Sequence, residues 1–221
     1  MRKTSATGGA KRAALPSLIT IIGVSYVVIA TVIMHVLRPD LELLSRPLSE
    51  YAVGRYGALF TSALLVWGIT ALIFAAELHR GVMRSGWLSS GLLLLVVFAV
   101  GLISAGLFPM DVPFPPEHFS LESFTRGGLI HVLSASIASA CFPFAALFLS
   151  KSFQKDAHWR SIHRRASMLA LGSLAASASL FIISSRYIEF FGLVQRILAA
   201  FAWSWLLLTA IRLHPFSPGN V

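Results

Sequence analysis

The chain reads as an all-α, polytopic membrane protein: a transmembrane bundle of six antiparallel helices. Three observations carry that reading. Of its 221 residues 56% are hydrophobic and only 12% charged, and the mean hydropathy is +0.77, outside the range of an ordinary water-soluble domain. Six runs are long and apolar enough to cross a hydrocarbon core of about 30 Å, which takes roughly 20 residues rising about 1.5 Å each. The alternating segments of about ten residues that mark a membrane barrel are absent, so the backbone must satisfy its own hydrogen bonds as helices.

The runs lie near residues 15–37, 58–78, 86–108, 127–149, 166–184 and 190–213, forming one domain between a basic tail, 1–14, and a short tail, 214–221. The first follows Arg2, Lys3, Lys11 and Arg12, as a secretory leader would. At about 22 residues it exceeds the 7 to 15 of a leader's apolar region, and no small-x-small cleavage site follows, so it is a span. The fourth holds Cys141, a lone cysteine that can make no intramolecular disulfide, and Pro143, which must kink the helix or have its missing donor replaced by neighbours. The fifth is rich in Gly, Ala and Ser, including Gly172, Ser173, Ala176 and Ser177; small residues let helices approach, which predicts the most enclosed span. The sixth carries Trp203 and Trp205, deeper than an interfacial belt.

Lysine and arginine fix the expected orientation. With six spans, the N-terminal tail, Arg80 and Arg84, the cluster Lys151, Lys155, Arg160, Arg164 and Arg165, and Arg212 share one side. The other side mixes Arg38, Arg46, Arg55, Arg126 and Arg186 with Asp40, Glu42, Glu50, Asp111, Glu117, Glu122 and Glu189. The positive-inside rule then places both termini in the cytoplasm. The net charge of +9 is mostly this signal, with a contribution to anionic-lipid binding; no connection is large enough for a basic nucleic-acid module.

The polar residues on the outer side are the candidate site. His35 sits about one turn from the end of span one, with Arg38 on the same face; either can snorkel to head groups. The connection after it holds Leu41, Leu43, Leu44 and Leu48, too apolar for a free loop, so it is expected on or in the membrane surface. At its far end Ser49 can cap a short helix beginning at Glu50, and Gly54 and Gly57 suit a turn into span two. Asp111 stands between Pro109 and Pro113, which hold it in place, in the one acidic stretch between two apolar runs. His131 lies roughly 6 to 8 Å into span four, and Arg196 about 10 Å into span six beside Gln195. A guanidinium at that depth needs an anion or many acceptors; Asp111, Glu50 or a ligand phosphate or carboxylate are the candidates.

Four segments, RPLSEYAVGRYG after the first span, GLFPMD ending the third, GGLIHVLSA opening the fourth and GLVQRIL in the sixth, resemble in order and placement the bacterial six-span membrane family catalogued as Domain of Unknown Function 998. The resemblance runs nearly from the first span to the last. It implies a polar outer-leaflet site around Ser49, Glu50, Asp111, His131 and Arg196, and no established reaction.

Two classes of function follow. In one, the pocket recognises or processes a lipid or other amphipathic anion: His131 acts as acid or base, Asp111 orients it, Ser49 or a water is the nucleophile, and Arg196, Glu50, His35, Arg38 and Gln195 bind ligand. In the other, the bundle is a small transporter or proton-coupled carrier gated by an intramembrane ion pair, or a non-catalytic subunit of a membrane complex. No metal-ligand spacing supports a site made from His131, His35, Asp111 and Glu50, and haem would need His35 and His131 to face each other, so no cofactor is expected. Membrane lipids are the expected partners; the sequence leaves the oligomer open.

Overall fold

A computed structural model describes residues 6–112, 123–186 and 188–214. The proline-rich stretch 113–122, with Glu117 and Glu122, lies outside the described residues, as do Arg2, Lys3 and the tail from 215. Six helices make up the fold: α1 Ala6–Leu37, α2 Gly57–Gly81, α3 Gly86–Leu107, α4 Arg126–Phe153, α5 His163–Arg186 and α6 Phe191–Leu213. All six are long and apolar enough to cross a membrane, and no strand occurs among the described residues.

Helix ends follow local chemistry. Ser85 and Thr125 are extended residues whose hydroxyls accept from the N–H groups of Leu88 at 3.1 Å and Gly128 at 3.0 Å, capping α3 and α4. The turn into α2 passes through left-handed backbone at Gly54 (φ 77°) and Tyr56 (φ 64°); glycine takes that conformation freely, tyrosine at a cost.

Each helix packs on its sequence neighbours and α1 closes on α6, so the bundle is a ring in chain order. Close approach of α3 to α4 is set at Gly101, where a methyl group would stand 2.8 Å from the Ser134 carbonyl oxygen. The middle is aromatic: Phe98 lies 4.9 Å from Phe142, and Phe142 and Phe74 pack edge-on to Trp205 at 6.0 and 6.2 Å. Trp205 is fully buried and donates to Ser150 Oγ at 3.0 Å, so its depth reflects core packing. Ile22, Ile29, Val36, Leu93, Leu133 and Phe181 point outward, an apolar belt suited to lipid.

Helix α4 runs through Pro143, and a neighbour replaces the lost hydrogen bond. Proline cannot donate to the carbonyl four residues back, that of Ser139; instead Ser177 Oγ of α5 donates to that oxygen at 2.9 Å. The small residues of α5 serve such contacts without enclosing the helix. Contrary to the expectation from composition, α2 is the most enclosed span, with 50% of its apolar window buried against 33% for α5. The reason lies in the ring: α5 turns Met168, Leu171, Phe181 and Ile182 outward, whereas α2 buries Trp67, Phe74 and Leu78.

Two connections fold over the ends of the ring. Residues 154–162, between α4 and α5, form a cap. Asp156 is buried and accepts from the N–H groups of Met83 at 3.1 Å and His158 at 3.0 Å. Trp159 is fully buried, stacks on Phe153 at 4.5 Å and donates to the Gly81 carbonyl at 3.1 Å; Arg212 of α6 donates to the His158 carbonyl. Residues 38–56, between α1 and α2, form a strap at the opposite end.

Candidate functional site

The strap is largely irregular chain with one short 3-10 turn, held down by groups of α6. Leu41, Leu48 and Tyr51 turn inward while Leu43 and Leu44 stay exposed, as a segment at a membrane surface would divide its leucines. Its backbone groups, left without a ladder, must find other partners. Leu193 N–H donates to the Leu44 carbonyl at 2.9 Å, and Gln195 Oε1 accepts from Leu48 N–H at 2.6 Å. At its start Arg38 grips Asp40 through Nε and Nη2, at 2.9 and 2.8 Å, and sends Nη1 to the Val53 carbonyl at 2.9 Å, tying the two ends of the strap together. That contact holds the Asp40 carboxyl below its usual range.

Arg196 is the central fastening, and its partners differ from those expected. Neither Asp111 nor Glu50 faces it. Nε donates to His35 Nε2 at 2.9 Å, Nη1 to the carbonyls of Arg46 at 2.8 Å and Gly192 at 2.9 Å, and Nη2 to the Tyr51 hydroxyl at 3.3 Å. No carboxylate lies within ion-pair distance among the described residues. The many-acceptor solution is available because the Arg46 carbonyl, in the strap and outside any helix, and the Tyr51 hydroxyl can accept beside the Gly192 carbonyl of α6. His35 Nδ1 meets the Thr31 carbonyl at 2.6 Å, so the ring carries its proton there and presents a lone pair to Arg196. At Gly192 the helix comes so near the strap that a methyl group would stand 2.8 Å from the Leu43 carbonyl oxygen.

Glu50 lies in a short 3-10 turn, Leu48–Ala52, and is buried. One oxygen sits 3.6 Å from Arg46 and the other has no hydrogen-bond partner. Burial pushes this carboxyl up, with Arg46 and Arg38 pulling the other way. Ser49 does not cap the turn: Pro47 holds the cap position with no side-chain bond, and Ser49 Oγ donates to Met110 Sδ at 3.2 Å.

His131, on the second turn of α4, is 1% exposed. Its Nδ1 lies 2.9 Å from the Ala105 carbonyl and 2.8 Å from the Phe108 carbonyl, both at the frayed end of α3. Two acceptors there require Nδ1–H, which leaves Nε2 as a lone pair on the neutral ring; Nε2 is buried with no partner. These carbonyls, rather than Asp111, orient the ring. Asp111 instead crowns α4: Oδ2 accepts from Thr125 N–H and Oδ1 from Thr125 Oγ1, each at 2.8 Å, and it packs on Gly128 so closely that no side chain fits there. An acid over a helix N-terminus, bound to its cap residue, is a structural arrangement.

A cavity of about 80 Å³ runs from the strap to the middle of the bundle. Leu48, Ser49 and Gln195 border it near the strap, His131 at the side, and Trp67 and Phe142 deeper. Most of its wall is apolar, and among the described residues lining it none is charged. Of the residues singled out in the sequence, His131, Ser49 and Gln195 border this cavity, Arg196, His35, Arg38 and Glu50 brace the strap, and Asp111 does neither. Among the described residues no three His, Cys, Asp or Glu side chains converge as metal ligands, and His35 Nε2 is engaged by Arg196 rather than turned to His131.

Sequence reasoning missed two polar groups. Trp67 Nε1 is buried without a partner on the cavity wall, beside Trp203 at 5.5 Å, whose Nε1 is likewise unpartnered. An indole in an apolar helix reads as core, and only the partner count distinguishes it. Glu77, in the last turns of α2, is buried, takes the Ser17 N–H on its carboxylate and leaves Oε2 unpartnered. Its signal was a lone acid within an otherwise uncharged span.

The fold and site thus define a polytopic, six-helix membrane protein with a strap-roofed apolar cavity. The family model described as "Protein of unknown function (DUF998)" matches residues 21–212, and the chain belongs to that family. No curated protein and no solved structure matches it.

Proposed function

We propose that this is a protein of the bacterial cytoplasmic membrane, both termini inside, that recognises a lipid by taking part of it into the cavity beneath the outward-facing strap. The observation that carries this reading is His131 Nε2, a buried lone pair without a partner on an apolar wall. Buried polar atoms are nearly always satisfied, so an orphan on a residue that borders a cavity marks a place where a ligand completes the bonding. The volume sets the scale: about 80 Å³ is roughly half of an engineered cavity of about 150 Å³ that takes benzene, so a compact group and a few carbons enter, not a whole lipid.

Recognition is favoured over processing because Ser49, though it borders the cavity, spends its hydroxyl hydrogen on Met110 Sδ rather than on His131. Among the described residues an ion-pair gate lacks its acid, since Arg196 is held by carbonyls, His35 and Tyr51.

The test is photolabelling in liposomes with an alkyl-chain alcohol bearing a diazirine within a few carbons of its polar end. Adducts are expected on the wall segments 135–142 and 198–202, and bacterial lipid extract should compete for them. Adducts confined to outward residues such as Leu133 and Phe181 would overturn the reading.

A further inference from the structure

The cavity's polar atoms also say what kind of group it takes. Ala105 and Phe108 consume the only N–H of the neutral His131 ring, so Nε2 can only accept. Trp67 Nε1 is a donor and can do nothing else; it is buried, unpartnered and part of the same wall. The wall therefore leaves one buried acceptor and one buried donor unpaired, beside the Gln195 amide and the hydroxyls of Ser49 and Ser139, with no charge among the described lining residues.

A phosphate or carboxylate would be poorly received. It needs cations or several converging donors to offset its desolvation, and the cation expected to bind it, Arg196, is not on the wall and already serves His35, Tyr51 and two carbonyls. A hydrocarbon end would leave both orphans buried. A hydroxyl is the smallest neutral group that donates and accepts at once, and its size suits a cavity of about 80 Å³. We infer that the ligand group taken into the cavity is the neutral hydroxyl of an alcohol-type lipid, such as a long-chain or isoprenoid alcohol or a diacylglycerol, donating to His131 Nε2. This rests on the reading of the cavity as a lipid site, and it replaces the anionic head group that the sequence alone suggested.

The experiment competes three chain-matched compounds, 1-dodecanol, dodecanoate and dodecane, against the diazirine lipid on the full chain in liposomes. Dodecanol is expected to displace wall labelling at concentrations about tenfold below the other two, the scale of one hydrogen bond gained with an orphan relieved. His131→Phe should abolish that advantage; on the native chain 1-methoxyundecane, which accepts but cannot donate, should compete no better than dodecane, and serves if His131→Phe does not fold. Equal displacement by dodecane makes the cavity an apolar slot, and stronger displacement by dodecanoate makes it an anion site. Either overturns the inference while the lipid site stands. Absence of wall labelling removes both together.

Discussion

The strap, 38–56, and the cap, 154–162, face the same problem at opposite ends of one bundle; each sets a backbone carbonyl on a guanidinium of α6, and they differ in what fills the space beneath. Each is irregular backbone laid over helix ends, where polar groups must be paired. The cap brings its own anion: Asp156 accepts two N–H groups, while Trp159 drops into the bundle and stacks on Phe153, itself stacked 6.4 Å from Trp205. The strap brings carbonyls and borrows donors, the guanidinium of Arg196 and the N–H of Leu193, from α6. Beneath the cap lies fully buried aromatic packing; beneath the strap lies a cavity. An end filled with its own aromatic bulk is a stability element, whereas an end closed over a cavity is a roof that can cover a site.

The largest expected effect is at the cap. Trp159→Ala removes a fully buried indole, which costs about 3–5 kcal/mol in a well-packed core. Thermal unfolding in detergent should show it, while competition by dodecanol at the far end is retained in the protein that remains folded. A mild loss would mean that the cap is not the filled end.

Arg196→Lys comes next and probes the roof. Lysine keeps the charge but loses the planar fork that reaches His35, Tyr51 and the carbonyls of Arg46 and Gly192 together. Hydrogen bonds to charged groups contribute about 1.5–3 kcal/mol, so a loss on that order is expected. Hydrogen–deuterium exchange should rise over residues 43–51 and stay unchanged over 154–162. Should lysine protect the strap as well as arginine does, charge alone fastens it and the carbonyl network is incidental.

The same contrast explains what could be read from sequence. Each span is a single helix whose length and hydropathy are local properties, so six helices in an antiparallel bundle followed from composition. What depends on a partner did not. The repair of Pro143 needs Ser177 on the neighbouring helix, and the exposure of α5 depends on its place in the ring. At the strap end the depth of His131 and Arg196 was legible, because a polar residue within an apolar run is visible in one dimension. Their partners were not, because sequence reasoning pairs charge with charge, whereas the fold satisfies Arg196 and His131 largely with backbone carbonyls that no residue type announces. Trp67 was hidden for the opposite reason: its side chain suits the core, and only the unpartnered N–H sets it apart.

The smallest effect belongs to Glu50, where the roof carries a cost. Its carboxyl is raised chiefly by burial, and the opposing pull of Arg46 at 3.6 Å and of Arg38 does not cancel it. A carboxyl raised by folding binds its proton more tightly in the folded chain than in the unfolded one. The stability it contributes is therefore present in full below the ordinary glutamate range of about 4 and is lost as pH rises through the folded value. Glu50→Gln keeps the shape without the charge, so it should be more stable than the native chain at neutral pH and should lose that advantage on acidification. A gain on the order of 1 kcal/mol would move Tm by about 2–4 °C in a chain of this size. Melting curves of both proteins from pH 4 to 8 decide it. A variant that is less stable at neutral pH, by a margin that widens with pH, would show the Arg46 pair outweighing burial, and the strap would then resemble the cap in being held by its own charges.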